Sequence, residues 1–190
     1  MRKKLKGLLG VFLSFVLVLT LMPETCIQVK ADTTGTVKAL LTADRTMYVI
    51  CDTNSYNTND TYEGKTITNV YPCDAGTGNG AMADYNAYLD APWYSNRDNI
   101  LAVVIGDDVT RIGVKAFCWC DRISRLTISD SVTSIGDRAF YGCQALGNIT
   151  IPATITFIDD LAFGRCDALQ SITIPVTVLT WGGCSFLGLR

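Results

Sequence analysis

The chain has no histidine. That removes Ser-His-Asp and Cys-His nucleophilic arrangements and most zinc sites. It also lacks an apolar run long enough to span a bilayer. Leu8 to Met22 carries no charge but runs for about 15 residues, against the roughly 20 a spanning helix needs. Arg2, Lys3, Lys4 and Lys6 precede this run, and Val29-Lys30-Ala31 follows it with small residues at the −3 and −1 positions of a cleavage site. Residues 1–31 read as a secretory signal peptide. Without them the chain keeps 11 basic and 17 acidic residues, a net charge of −6. No cluster of Lys or Arg survives. An acidic surface repels phosphate backbones, so nucleic acid is not an expected partner.

What the sequence does contain is a period. Phe117, Phe140 and Phe163 stand 23 residues apart, and Cys120, Cys143 and Cys166 keep the same interval. So do Ile112, Ile135 and Ile158, and Ala116, Ala139 and Ala162. A repeat of this length falls in the leucine-rich-repeat range of roughly 20–29 residues. Leu126-Thr127-Ile128 alternates as a strand does, with Leu126 and Ile128 on one face. Ile135, Ala139 and Cys143 recur every four residues, the spacing of a helical turn. The predicted fold is a repeat solenoid, β-rich with short helical turns. It has three full 23-residue units and an incomplete fourth over 99–190. In the fourth, Trp181 takes an isoleucine position and Phe186 keeps register. One such coil cannot bury its own apolar residues; stacked copies can.

Residues 32–98 do not follow the period and read as a non-repetitive β cap over the first coil. Thr46 to Cys51 and Thr66 to Tyr71 read as strands, with a polar loop from Asp52 to Gly64 between them. Cys51 and Cys73 end those strands, and a cross-strand disulfide is one of two open readings. Tyr85, Tyr88, Trp93 and Tyr94 cluster in the cap, either sealing the first coil or forming a binding patch.

Most apparent chemistry follows from the repeat. Asp107-Asp108 and Asp159-Asp160 fall on turns, where Asp bonds locally. Cys120 of Cys118-Trp119-Cys120 belongs to the ladder of buried thiols, leaving Cys118 as the extra one. Asp52, Asn54, Asp60 and Glu63 have the spacing of a calcium loop, but Tyr56 and Asn57 stand where a ligand and a glycine are needed. Gly76-Thr77-Gly78-Asn79-Gly80 has no lysine after it and reads as a turn rather than a phosphate loop. No cofactor is expected and no enzyme activity. The outward strand positions form three rows: Ala102, Arg125, Asn148, Ser171; Val104, Thr127, Thr150, Thr173; and Gly106, Ser129, Pro152, Pro175. Candidate binding residues are Arg125, Thr127 and Thr150 on these rows and Tyr85, Trp93 and Tyr94 in the cap.

Ile149-Thr150-Ile151-Pro152, Ile158, Ala162-Phe163 and Cys166, with Ser131 to Gly136 and Ala139 to Cys143 in the unit before, resemble the BspA-like leucine-rich repeats of bacterial surface proteins. The lead-in Gly80 to Tyr85 and Ala91 to Ser95 is similar to that family as well. The resemblance implies a secreted or surface-displayed protein, adhesion to a protein or glycan (host proteins included), and no catalysis. Family members usually carry many more repeats, and no sorting motif or C-terminal anchor is visible. That departure implies either a truncated gene product with no ligand of its own or a small secreted form. An exposed last coil would also invite self-association.

Overall fold

The computed structural model describes residues 35–184. The signal peptide expected over 1–31 and the in-register Phe186 lie outside the described residues. Among the described residues, twelve strands and two short 3-10 helices build a solenoid around one long apolar core, with a smaller apolar cluster beside it. The strands are β1 (Thr36–Thr42), β2 (Thr46–Asp52), β3 (Thr61–Tyr62), β4 (Lys65–Pro72), β5 (Ala102–Ile105), β6 (Arg111–Ile112), β7 (Arg125–Ile128), β8 (Ser134–Ile135), β9 (Ile149–Thr150), β10 (Phe157–Ile158), β11 (Ile172–Thr173) and β12 (Thr180–Trp181). The 3-10 helices, Tyr88–Asp90 and Tyr94–Asn99, precede β5.

Each coil contributes one strand to each of two sides. On the first side β5 pairs with β7 in parallel, Val103 beside Leu126 and Val104 beside Thr127, and β9 pairs with β11. On the second, β6, β8, β10 and β12 form a parallel ladder that sets Ile112, Ile135, Ile158 and Trp181 in one row. The inward rows are closed to solvent: Val109, Val132 and Ile155, and Ile123, Leu146 and Leu169, are buried, as are the Ala, Phe and Cys rows. Phe117 stacks on Phe140 at 5.2 Å with planes 6° apart, and Phe140 on Phe163 at 5.4 Å. Those spacings slightly exceed the strand spacing of about 4.8 Å, as fits rings stacked coil on coil. Cysteine three positions after each phenylalanine has a polar use too. Cys143 donates its thiol to Phe117 O and Cys166 to Phe140 O, each at 3.3 Å.

The expected helical turn is a run of tight turns. Ala139 N bonds to Gly136 O, Tyr141 N to Arg138 O and Cys143 N to Phe140 O. A left-handed residue in each coil, Lys115 or Arg138 or Leu161, stops the turn from propagating as a helix.

The cap region is built into the coils. β2 runs parallel to β5 in the slot of a preceding strand, Met47 beside Val103 and Val49 beside Ile105. Ala81 bridges Arg111 in parallel, the slot before β6. Trp93 lies on Phe117 at 5.3 Å and 23°, the slot of a preceding phenylalanine. Its indole N–H donates to Ala116 O at 2.9 Å, where the coils use a backbone amide: Phe117 N donates to Ala139 O, and Phe140 N to Ala162 O. Three segments far apart in sequence thus compose one pseudo-coil.

β1 lies between β2 and β4, in the order β3-β4-β1-β2-β5-β7. Its sequence, Thr-Val-Lys-Ala-Leu-Leu-Thr, buries Val37, Ala39 and Leu41 against the solenoid and Leu40 on the opposite face. Apolar residues on both faces hide the strand alternation, which is why the pattern did not mark it. The disulfide reading fails on this strand. Cys51 pairs with Val37 across β1, and Cys73 N bonds to Val37 O from the other side. The two cysteines are therefore about two strand spacings, ~10 Å, apart, beyond the ~7 Å a disulfide can bridge. Both are free thiols.

Candidate binding surface

The outward side of β5, β7, β9 and β11 holds two of the three rows expected from sequence; in the third, Pro152 is buried and Gly106, Ser129 and Pro175 are half-buried. Arg125, Thr127, Asn148, Thr150, Ser171 and Thr173 are exposed, whereas Ala102 is buried. Arg125 makes no ion pair among the described residues. The register sets Thr127 beside Val104, and Val104 beside Tyr48 of β2. At Tyr48 the surface ends against a second apolar cluster of Leu40, Tyr48, Ile50 and Ile67, with Tyr56 and Tyr62 packed over it. The β3–β4 hairpin and the 53–60 loop make this wall, Tyr48 and Tyr62 standing 5.1 Å apart.

The wall is pinned by ions. Lys65 Nζ lies 2.7 Å from Asp44 Oδ2 and 2.8 Å from Tyr48 OH. Lys38 Nζ contacts Asp52 Oδ1 at 2.8 Å, Asp52 O at 3.1 Å and Asn54 O at 2.5 Å. The ammonium group binds the first residues of the loop whose spacing resembles a calcium site, while Asp60 accepts from Asn57 N. Burial acts to raise both aspartates, but bonds from Lys65, Thr42 and Thr46 N hold Asp44 down to about 2, and bonds from Lys38 and Tyr56 hold Asp52 low.

The cap aromatics divide. Trp93 is fully buried, and Tyr85 nearly so, its ring edge-on to Trp93 at 5.8 Å. Trp93 turns inward by stacking on Phe117, and Tyr85 by packing edge-on against Trp93, so both rings are closed to solvent. Tyr94 is half-buried, 5.5 Å from the exposed Tyr88, with the Arg97 guanidinium 4.4 Å from its ring.

The remaining chemical candidates are used locally. Asp107 Oδ1 accepts from Ser129 Oγ, and Asp159 Oδ1 from Asp160 N. Burial pushes the Cys118 thiol up to about 11 against the opposing pull of Lys115 and Arg138, and Cys166 up to about 12. Cys51, Cys73, Cys120 and Cys143 are raised by burial as well. Protonated thiols are poor nucleophiles at neutral pH.

One feature escaped the sequence reading: Trp119 and Tyr141, half-buried on the turn that follows the second strand of each coil, meet edge to face at 5.3 Å. The signal for it is the glycine 23 residues after each ring position, Gly142 and Gly164.

The family pattern described as BspA type leucine rich repeat region, in six copies, matches residues 89–189. The chain belongs to that family. Repeats of this kind build extended surfaces of the sort that bind other proteins. Among solved structures, a leucine-rich repeat protein from Bacteroides ovatus is 27% identical over 48% of this chain, with a TM-score of 0.46. The Treponema pallidum leucine-rich repeat protein is 26% identical over 49%, at 0.47. A leucine-rich cell surface protein from Faecalibacterium prausnitzii is 21% identical over 82%, at 0.38, and 52% of it is covered. The chain spans 23% and 45% of the lengths of the first two. A comparison with curated proteins gives no match. No helix among the described residues is long and apolar enough to cross a membrane.

Proposed function

We propose that this is a secreted or surface-displayed adhesion protein that binds other proteins without covalent chemistry. Its contacts on this reading include Arg125, Thr127, Thr150 and Tyr94. The observation that carries the reading is the BspA-type array itself, which leaves a solvent-facing strand surface while its thiols and paired aspartates serve the coil. Removal of residues 1–31 gives the secreted form. The test is binding of residues 32–190 to immobilised fibronectin, laminin and collagen by biolayer interferometry. Saturable binding to at least one at micromolar concentration is expected, and no binding to any overturns the reading.

A second reading has its own observation. Phe157, Val176, Leu179 and Trp181 are large apolar side chains exposed at 38, 98, 80 and 58%. Such a patch favours pairing with a second copy of the chain. A fragment serving only as part of a larger assembly would associate through it and bind no ligand of its own.

A further inference from the structure

Side chains that recur every 23 residues are explained by stacking. Those that break the period are free to serve something else. On the turn side of the coils two rows break it: Trp119, Gly142, Arg165 and Cys118, Tyr141, Gly164. Each ring lies over a glycine of the next coil. A Cβ on Gly142 would fall 2.6 Å from the Trp119 ring, and one on Gly164 2.9 Å from Tyr141. The Arg165 guanidinium stands 5.9 Å from the centre of the Trp119 ring. Arg165 is exposed and both rings are half-open. On the cap segment that precedes this coil, Tyr88 and Tyr94 stand 5.5 Å apart. Their segment is tied to this coil by Arg122 Nη1 donating to Asp98 O at 3.3 Å.

We propose that this turn-side cluster of Trp119, Tyr141 and Arg165 is the anchoring surface for a partner protein, gripping a segment that carries a carboxylate beside apolar side chains. The inference rests on the protein-binding reading above and adds where the anchor lies and what it fits. Trp, Tyr and Arg are the residues that dominate protein interfaces, and the strand rows offer Arg125 alone of these. The rings are seated in glycine notches, so little side-chain entropy remains to be lost on docking. Arg165 makes no ion pair among the described residues, in a chain that is acidic overall. A carboxylate arriving there gains a charge-assisted, bidentate bond beside an aromatic face. Rings serving the coil alone would be closed over, as Phe117 and Phe140 are.

The test compares the unaltered secreted chain with Arg165→Glu, the pair Trp119→Ala with Tyr141→Ala, and Arg125→Glu on whichever of fibronectin, laminin or collagen it binds. Arg165→Glu is expected to weaken binding by about tenfold or more, and the aromatic pair by at least as much. Arg165 is exposed, so its variant should keep the unaltered melting temperature; loss of binding there is not loss of fold. Affinity should also fall as salt is raised. Binding by Arg165→Glu and by the folded aromatic variant within about twofold of the unaltered chain overturns this inference alone, whether or not Arg125→Glu loses affinity. No binding by the unaltered chain to any of the three proteins overturns the protein-binding reading and this inference with it.

Discussion

Trp93 shows how one side chain can replace a stretch of backbone. A phenylalanine there would keep the stack on Phe117 but leave Ala116 O without its donor. A buried acceptor stripped of its partner costs about 1–3 kcal/mol. Trp93→Phe should therefore lower stability by that order in urea unfolding, and Trp93→Ala by about 3–5 kcal/mol. The cysteines make a second prediction at this scale. Cys51, Cys73, Cys118, Cys120, Cys143 and Cys166 are buried and Cys184 is exposed. Brief alkylation of the folded secreted chain at neutral pH should modify Cys184 alone. Alkylation after unfolding without reductant should modify all seven. A species two thiols short in the second experiment would mean that a disulfide exists after all. Sequence made the inward phenylalanines and cysteines legible because their period is their packing. It did not reveal that Trp93 joins them, because 24 residues separate Trp93 from Phe117 and the match is spatial.

Among the elements, the coil corner and the hairpin wall can each be tested. Trp119 and Arg165 hold left-handed backbone without being glycine, at φ 61° and 57°, as does Gly142 at 76°. Glycine at 142 supplies both a left-handed backbone and room for the Trp119 ring. Gly142→Ala should cost about 1–2 kcal/mol of backbone strain together with the ring clash, and a Trp119→Ala background should relieve the clash alone. Additive effects in the double-mutant cycle would count against the contact. The wall responds to acid. Asp44 is held at about 2 against an ordinary value of 3.8. A carboxylate with a lowered folded value contributes stability that is complete above the unfolded value and lost as pH falls through the folded one. Melting temperatures of the unaltered chain and Asp44→Asn should thus differ at pH 5 and converge towards pH 2. The gap should be small, since Asp44 and Lys65 are 45 and 37% exposed. The β2 and β4 strands were readable from their β-branched and aromatic residues. The hairpin folded over Tyr48 was not, because its contacts join Tyr56 and Tyr62 to a strand they do not follow in register.

For the molecule as a whole, stability accrues coil by coil through neighbour contacts. The same geometry leaves an apolar patch wherever a row changes character. Thr110, Thr133 and Thr156 form one outward row, with Thr133 and Thr156 hydroxyls bonded to the coil before, and Leu179 ends it. If the patch drives association, light scattering should show mass rising with concentration. Leu179→Thr combined with Val176→Ser should then restore a monomer. A monodisperse unaltered chain would rule the association out.

The 23-residue interval determined the coil, its inward rows and the family, because a repeat buries only what it repeats. It also told which residues break the rhythm, among them Arg125 and the cap aromatics. The tertiary structure alone decided what those exceptions do. Trp93 turns inward because Phe117 offers a ring to stack on, and Tyr85 follows because it packs against Trp93. Cys51 and Cys73 stay apart because β1 enters between them. Trp119 and Tyr141 stay half-open because the glycines beneath them belong to the next coil. Each outcome depends on which distant segment fills the neighbouring slot, and a local pattern carries no record of that.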